Sequence, residues 1–267
     1  GATADNLFKR EASIGVNSGA HTLKAGRLQS LNYAAVKEFD VFGGGNLGVA
    51  RLSQHTAEYN SNAVGYSLGH GNFTFGAQHV FGEQIDGSLR ASSTDAVSLG
   101  YAHGPLSASV VHTNTDDGYA TIGSRTTQLA GAYDFGPAKA SLIAQNASGS
   151  DLDHSVVLGV SAPVKGFTAL ASVGQAKLVD GSKIDLYSVG GTYKLSKRTN
   201  LYAAYGRVDV QVAAGAKFAG GVNNASGKGR TGRSPPRATI PSYTASGTRF
   251  FTSEASSIHS CSCRPIR

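Results

Sequence analysis

The sequence predicts an all-β chain, an antiparallel up-and-down transmembrane β-barrel, and three observations carry that prediction. Apolar and small polar residues alternate with period two through twelve short stretches between residues 11 and 210. The connections between these stretches are alternately short and long. Glycine supplies 35 of 267 residues, and no run approaches the ~18 apolar residues of a membrane-spanning helix.

The alternation is explicit in Asn72-Phe73-Thr74-Phe75-Gly76-Ala77-Gln78, where Phe73, Phe75 and Ala77 share one face and the polar residues share the other. Val97, Leu99 and Tyr101 align in the same way, as do Leu106, Ala108 and Val110, and Val156, Leu158 and Val160. A soluble sandwich packs such a face inward. A membrane barrel turns it to lipid and lines a wet lumen with the small polar residues. Periodicity alone does not separate the two.

In chain order, strands are expected near 11–17, 21–27, 59–68, 72–81, 94–103, 106–114, 127–135, 139–146, 154–162, 167–176, 184–195 and 199–208. Every second connection is a turn built on glycine, proline or a short polar run, such as Gly69-His70-Gly71, Gly104-Pro105 and Ser196-Lys197-Arg198. The others, around 28–58, 82–93, 115–126, 147–153 and 177–183, are longer and richer in Asp, Ser, Asn and Gly. All short turns then lie at one end of a meander, an order that a Greek-key sandwich would scramble. Tyr66, Phe81, Tyr101, Tyr133, Phe135, Phe167, Tyr193 and Tyr205 fall near strand ends, where a membrane barrel carries aromatic girdles.

Charge divides the chain in two. The formal net charge of +7 comes from residues 211–267, which hold eight basic residues and one acidic residue; the first 210 residues are neutral. That last segment also carries Cys261, Cys263 and four of the seven prolines. It reads as an atypical, basic, low-complexity tail without regular structure, following a barrel domain over residues 1–210.

No stretch carries recognisable catalytic chemistry. Gly65-Tyr66-Ser67-Leu68-Gly69 matches the spacing of a nucleophile elbow, but a strand rather than a helix follows it. His259, Cys261 and Cys263 fit no zinc spacing. The basic run through Lys228, Arg230, Arg233 and Arg237 lacks interleaved aromatics, so nucleic acid is not an expected partner. The connection from Leu28 to Glu58 stands apart. It is the longest of the barrel domain, and such loops inside compact folds are usually functional. It mixes Lys37, Glu38 and Asp40 with Arg51, charges of both signs near basic wall residues, which would set a transverse field across a pore.

Four segments carry a family resemblance. Leu7-Phe8-Lys9-Arg10-Glu11-Ala12-Ser13-Ile14-Gly15-Val16 resembles the entry to a mid-barrel strand of the general porins of β-proteobacteria, the neisserial porins among them. Leu23-Lys24-Ala25-Gly26-Arg27-Leu28-Gln29-Ser30 is similar to their next strand, which leads into the constriction loop. Asn72–Glu83 resembles the strand after that loop, and Leu195–Tyr205 the penultimate hairpin. The resemblance covers about residues 7–210 and implies a trimer of 16-stranded barrels with the third external loop folded into each lumen. The twelve expected strands then correspond to the fourth through fifteenth. The family closes with a strand ending in an aromatic residue, whereas this chain ends Arg264-Pro265-Ile266-Arg267, and the change after about Asp209 resembles a wrong reading frame. An open or distorted barrel, with no stable channel from this chain alone, is therefore expected.

The resemblance implies a passive diffusion channel for small hydrophilic solutes and ions in a Gram-negative outer membrane, with weak anion preference. Its expected partners are outer-membrane lipid and lipopolysaccharide, further copies in a homotrimer, and small solutes and anions. Neither an enzymatic activity nor a cofactor or metal is expected. The pore-lining residues are Arg10, Lys24 and Arg27 on the wall and Lys37, Glu38, Asp40 and Arg51 on the loop. Lys24 has the lumen-facing parity opposite Leu23 and Ala25, whereas Arg27 has the lipid parity and needs a strand end or a bulge to reach the pore. The competing reading is a soluble or surface-attached β-sandwich, adhesin-like and without a pore.

Overall fold

The computed structural model describes residues 10–44, 57–82, 93–116, 125–196 and 199–211, together with the backbone of 243–250. Thirteen strands follow one another through a single sheet: β1 (Ala12–Ser18), β2 (His21–Gln29), β3 (Tyr59–His70), β4 (Phe73–Val80), β5 (Thr94–His103), β6 (Leu106–Thr115), β7 (Arg125–Asp134), β8 (Lys139–Ser148), β9 (Leu152–Val164), β10 (Phe167–Leu178), β11 (Lys183–Lys194), β12 (Asn200–Gln211) and β13 (Tyr243–Phe250). All twelve expected strands are present, and each pairs antiparallel with the next. Phe73 stands opposite Tyr101 and Val80 opposite Thr94 across β4 and β5, while β11 and β12 pair from Lys194–Asn200 to Lys183–Gln211. The order is linear. Among the described residues, β1 pairs with β2 alone and β13 with β12 alone, so the sheet has two free edges.

Residues 211–267 depart from the expectation of a tail without regular structure. Tyr243–Phe250 forms β13, running from Val208–Tyr243 to Leu201–Phe250 along β12. The edge of β12 is the physical reason. Its unpaired N–H and C=O groups need partners that lipid cannot supply, and the stretch around Tyr243-Thr244-Ala245-Ser246 has the small, β-compatible composition to supply them. The remainder of that segment lies outside the described residues.

The two faces of the sheet are opposite in character. Phe73, Phe75, Val97, Leu99, Val156 and Leu158 all project from one face and remain 37–56 % exposed. Burying one such side chain is worth roughly 1.5–3 kcal/mol, so a soluble fold would cover them; here lipid does. The other face carries Gln78, Thr113, Thr126, Gln128, Gln145, Ser155, Ser172 and Ser188, all buried. In β7 the pattern is plain: Thr126, Gln128, Ala130 and Ala132 are buried while Thr127 and Leu129 between them are exposed. Aromatics gather outward at the short-turn ends, with Phe73 against Tyr101 at 5.1 Å and Tyr133 against Phe135 at 4.7 Å between ring centroids.

One short helix interrupts the meander. The long connection after β2 begins with α1 (Leu31–Phe39), started by Ser30, whose side chain accepts from the Tyr33 N–H at 3.2 Å. α1 lies against β5–β8 on the polar face of the sheet, the side away from lipid.

The asymmetry of the faces sets a measurable difference. Leu99→Arg, on the outward face, should destabilise the folded protein in lipid vesicles by about 2–4 kcal/mol. Ser109→Arg, on the inner face of β6, should cost less than half of that. Urea unfolding in vesicles reads both, and equal costs would contradict the assignment of faces.

Candidate functional site

The site is the inner wall with α1 laid across it. Asn32 fixes the start of the helix: its side-chain oxygen accepts from the Thr113 hydroxyl on β6, and its backbone carbonyl accepts from Gln128 Nε2 on β7 at 3.2 Å. Phe39 fixes the end. It is 2 % exposed and sits in one apolar cluster with Ala130, Ile143, Leu152, Val157 and Leu186. The wall makes room with glycine where the segment comes closest. A Cβ on Gly159 would stand 2.8 Å from Val41 Cγ1, and one on Gly76 would stand 3.4 Å from Leu31 Cδ2. The first separation is too short for a β-carbon, so β9 carries no side chain there; at Gly76 Leu31 stands at ordinary contact distance, and the tight neighbour is Ser98 Oγ on β5.

Asp40 ends the helix. Its carboxylate accepts from the Phe42 N–H at 3.2 Å and the Gly44 N–H at 2.8 Å, folding the chain into a tight turn. Burial pushes its pKa above the ordinary aspartate value, although those two N–H groups pull the other way. Lys37, in the last turn, complements the negative end of the helix dipole and is exposed, as is Glu38. Burial also raises the Tyr33 hydroxyl, with Glu58 adding to the effect.

The wall cations are arranged differently from one another. Lys24 projects from the inner face and pairs with Glu11 at 3.1 Å, an acid that sequence reasoning did not place in the site. Arg10 is exposed just before β1. Arg27 sits inside a bulge: the β2–β3 register shifts between Gly26 and Leu28, and Gly26 has φ +131°, a value that L side chains rarely adopt. The irregularity that Arg27 required is thus present. Its guanidinium donates to Ser61 Oγ at 2.7 Å and lies 5.9 Å from the Tyr59 ring centroid, and Tyr59 meets Tyr33 of α1 edge-on at 5.9 Å. Wall and helix are joined through these rings. Tyr59 escaped sequence reasoning because a tyrosine at a strand start reads as ordinary strand composition. Of the expected site residues, six fall on this half of the wall and its helix, with Asp40 buried as a helix cap rather than displayed; Arg51 lies outside the described residues.

A lipid-facing apolar surface, a hydroxyl- and amide-lined inner wall and a helix folded onto that wall define the wall of an outer-membrane β-barrel. The family of Gram-negative porins matches residues 1–213, and the chain belongs to that family. It is 27% identical to an outer membrane porin protein of Bordetella pertussis, over 74% of this chain and 66% of that protein's length. In fold it is similar to a triple mutant of the Rh. blastica porin, with a TM-score of 0.59 and 15% identity over 76% of this chain and 75% of that one. A loop-deletion mutant of OmpT, an outer membrane protein of Vibrio cholerae, gives a TM-score of 0.57 at 14% identity over 74% of each chain.

Asp40 makes the turn after α1 pH-dependent in a definite direction. Its folded pKa is raised, so the folded turn binds a proton more readily than the unfolded chain does, and acidification favours it. The gain is complete below the ordinary value of 3.8 and is lost as pH rises through the raised value. Hydrogen exchange of the α1 amides, corrected for intrinsic rates, should show protection rising on acidification. In Asp40→Asn that protection should be independent of pH.

Proposed function

We propose that the chain forms the wall of an outer-membrane diffusion channel for small hydrophilic solutes and ions, with weak preference for anions. The observation that carries this reading is α1, a polar-surfaced helix pinned across the inner face of a sheet whose other face suits lipid. Such a helix narrows a lumen without closing it, and low-dielectric walls reduce the screening of the charges displayed there. Arg10, Lys24, Arg27 and Lys37 supply the positive side of the field and Glu38 and Asp40 the negative, with Arg51 as a further cation in the same connection. Outer-membrane lipid and lipopolysaccharide surround the apolar face, and the assembled protein is a homotrimer, the arrangement that family membership suggests. The reading requires no catalytic group or cofactor.

Planar-bilayer recording on the extracted protein tests this. Once the outer edges of β1 and β13 are paired, Ohmic steps are expected, with a reversal potential of the anion-selective sign under a potassium chloride gradient. Replacing Arg10, Lys24 and Arg27 together by glutamine should move that potential toward the cation side while steps persist. A protein without conductance, or one whose wild type is cation-selective, would end the proposal.

A further inference from the structure

The ladder between β2 and β3 has one irregularity, and it lies where the chain leaves the wall for α1. Between the pairs Gly26–Ala63 and Leu28–Asn60, β2 contributes one residue, Arg27, and β3 contributes two, Ser61 and Asn62. β3 is therefore the bulged strand. Asn62 takes φ +53°, the left-handed conformation that a bulge with glycine-like geometry requires at its first position. Among the described residues only Lys165, in a short turn, also combines a side chain with positive φ. The β4 side of the strand is undisturbed: the Phe81 N–H donates to the Asn62 carbonyl at 2.9 Å, one step beyond the pair Ala63–Val80.

The extra residue reverses the faces of the stretch before it. From Ala63 onward the odd positions of β3 face inward, with Ala63 buried and Tyr66 exposed. Unbroken alternation would give Asn60 the outward parity of Tyr66. Asn60 instead lies opposite buried Leu28 and donates its side-chain N–H to Gln78 Oε1 on the inner wall at 3.2 Å. Gln78 donates in turn from Nε2 to the Gln29 carbonyl at 3.0 Å. A carbonyl only accepts, so this bond fixes the Gln78 amide and leaves Oε1 for Asn60. Gln29 is the last residue of β2 and precedes Ser30, the cap of α1, whose own N–H donates to the Glu58 carbonyl at 3.0 Å. The point where the chain turns into α1 is thus tied back to the bulge.

We propose that Asn62 is a positioning residue for α1. Its left-handed bulge turns Asn60 inward, and the Asn60–Gln78–Gln29 relay then sets where α1 starts and how it crosses the wall. The proposal rests on the reading of α1 as the element that narrows the lumen. Asparagine tolerates the left-handed region, glycine enters it freely, and a β-branched residue is an outlier there.

Hydrogen exchange of the folded protein in lipid vesicles tests it, read at the Tyr33 and Ala34 amides, which bond to Ser30. Asn62→Val, Asn60→Ala and Gln78→Met should each speed exchange there about fivefold, the protection that one intramolecular hydrogen bond supplies. Asn62→Gly should exchange as wild type, since glycine keeps the bulge. Amides of the β5–β6 ladder should not change in any variant. An Asn62→Val protein with wild-type exchange at Tyr33 and Ala34 would overturn the proposal. So would equal acceleration in Asn62→Gly, or acceleration spread evenly over the β5–β6 ladder, which marks general loosening of the wall. Should Asn62→Val not fold, Asn60→Ala and Gln78→Met decide, and wild-type exchange in both would remove the relay. Exchange is read without conductance, so this result stands or falls separately from the channel reading.

Discussion

Lipid offers no hydrogen bonds, and the rest of this structure follows from that constraint. Each unpaired backbone group in hydrocarbon costs several kcal/mol, so every strand must find its ladder in a neighbour. Twelve consecutive antiparallel pairings are the result, with each of the thirteen strands beside the next in sequence. The same constraint explains β13. A segment whose composition looks unstructured still pairs with β12 over eight residues, because the alternative is a bare edge. It also sets the condition for a pore: the outer edges of β1 and β13 must themselves be paired before the wall encloses a lumen.

Satisfying the backbone leaves the side chains free to differ by face, and α1 exploits the inner one. Its seat is only partly matched. Gln128 Oε1, Thr126 Oγ1 and both amide atoms of Gln145 are buried without a hydrogen-bond partner among the described residues. A buried polar group left so costs about 1–3 kcal/mol, which a wall evolved solely to hold a helix would avoid with apolar residues. The amides suit a surface built for water, over which the helix is held at its two ends by Asn32 and Phe39. Small residues at Gly76 and Gly159 let it approach, and the apolar cluster around Phe39 supplies the adhesion that the amides do not.

Legibility in the sequence follows the range of the physics. The strands were legible to within a few residues because period two is local and because each side chain answers to one medium, lipid or lumen. α1 was not, since Leu31–Phe39 is short and its helicity depends on a wall formed by β5–β8, far along the chain. Arg27 shows the limit most clearly. Its parity pointed to lipid, its role needed a bulge, and only the register shift at Gly26 settled that such a bulge exists. Tyr59 and Glu11 were missed for the same reason: both matter through a partner on another element, Arg27 and Lys24 respectively. Asp40 was recognised as a charge but not as a cap, because capping depends on where the helix ends.

These partners change the electrostatic argument. By count, the expected site holds five cations against two acids, which favours anions. Glu11 then converts Lys24 into a dipole that contributes little beyond its own neighbourhood, and both members are exposed enough that the pair adds at most about 1 kcal/mol to stability. Burial raises the pKa of Asp40 on the opposite side. Arg27 is oriented by Ser61 and Tyr59. A field from so few charges is strong only where water is thin. Screening over about 8 Å at physiological salt would erase it in a wide pore, so preference of this kind depends on α1 holding the lumen narrow. The helix, more than the number of charges, decides whether the charges are felt.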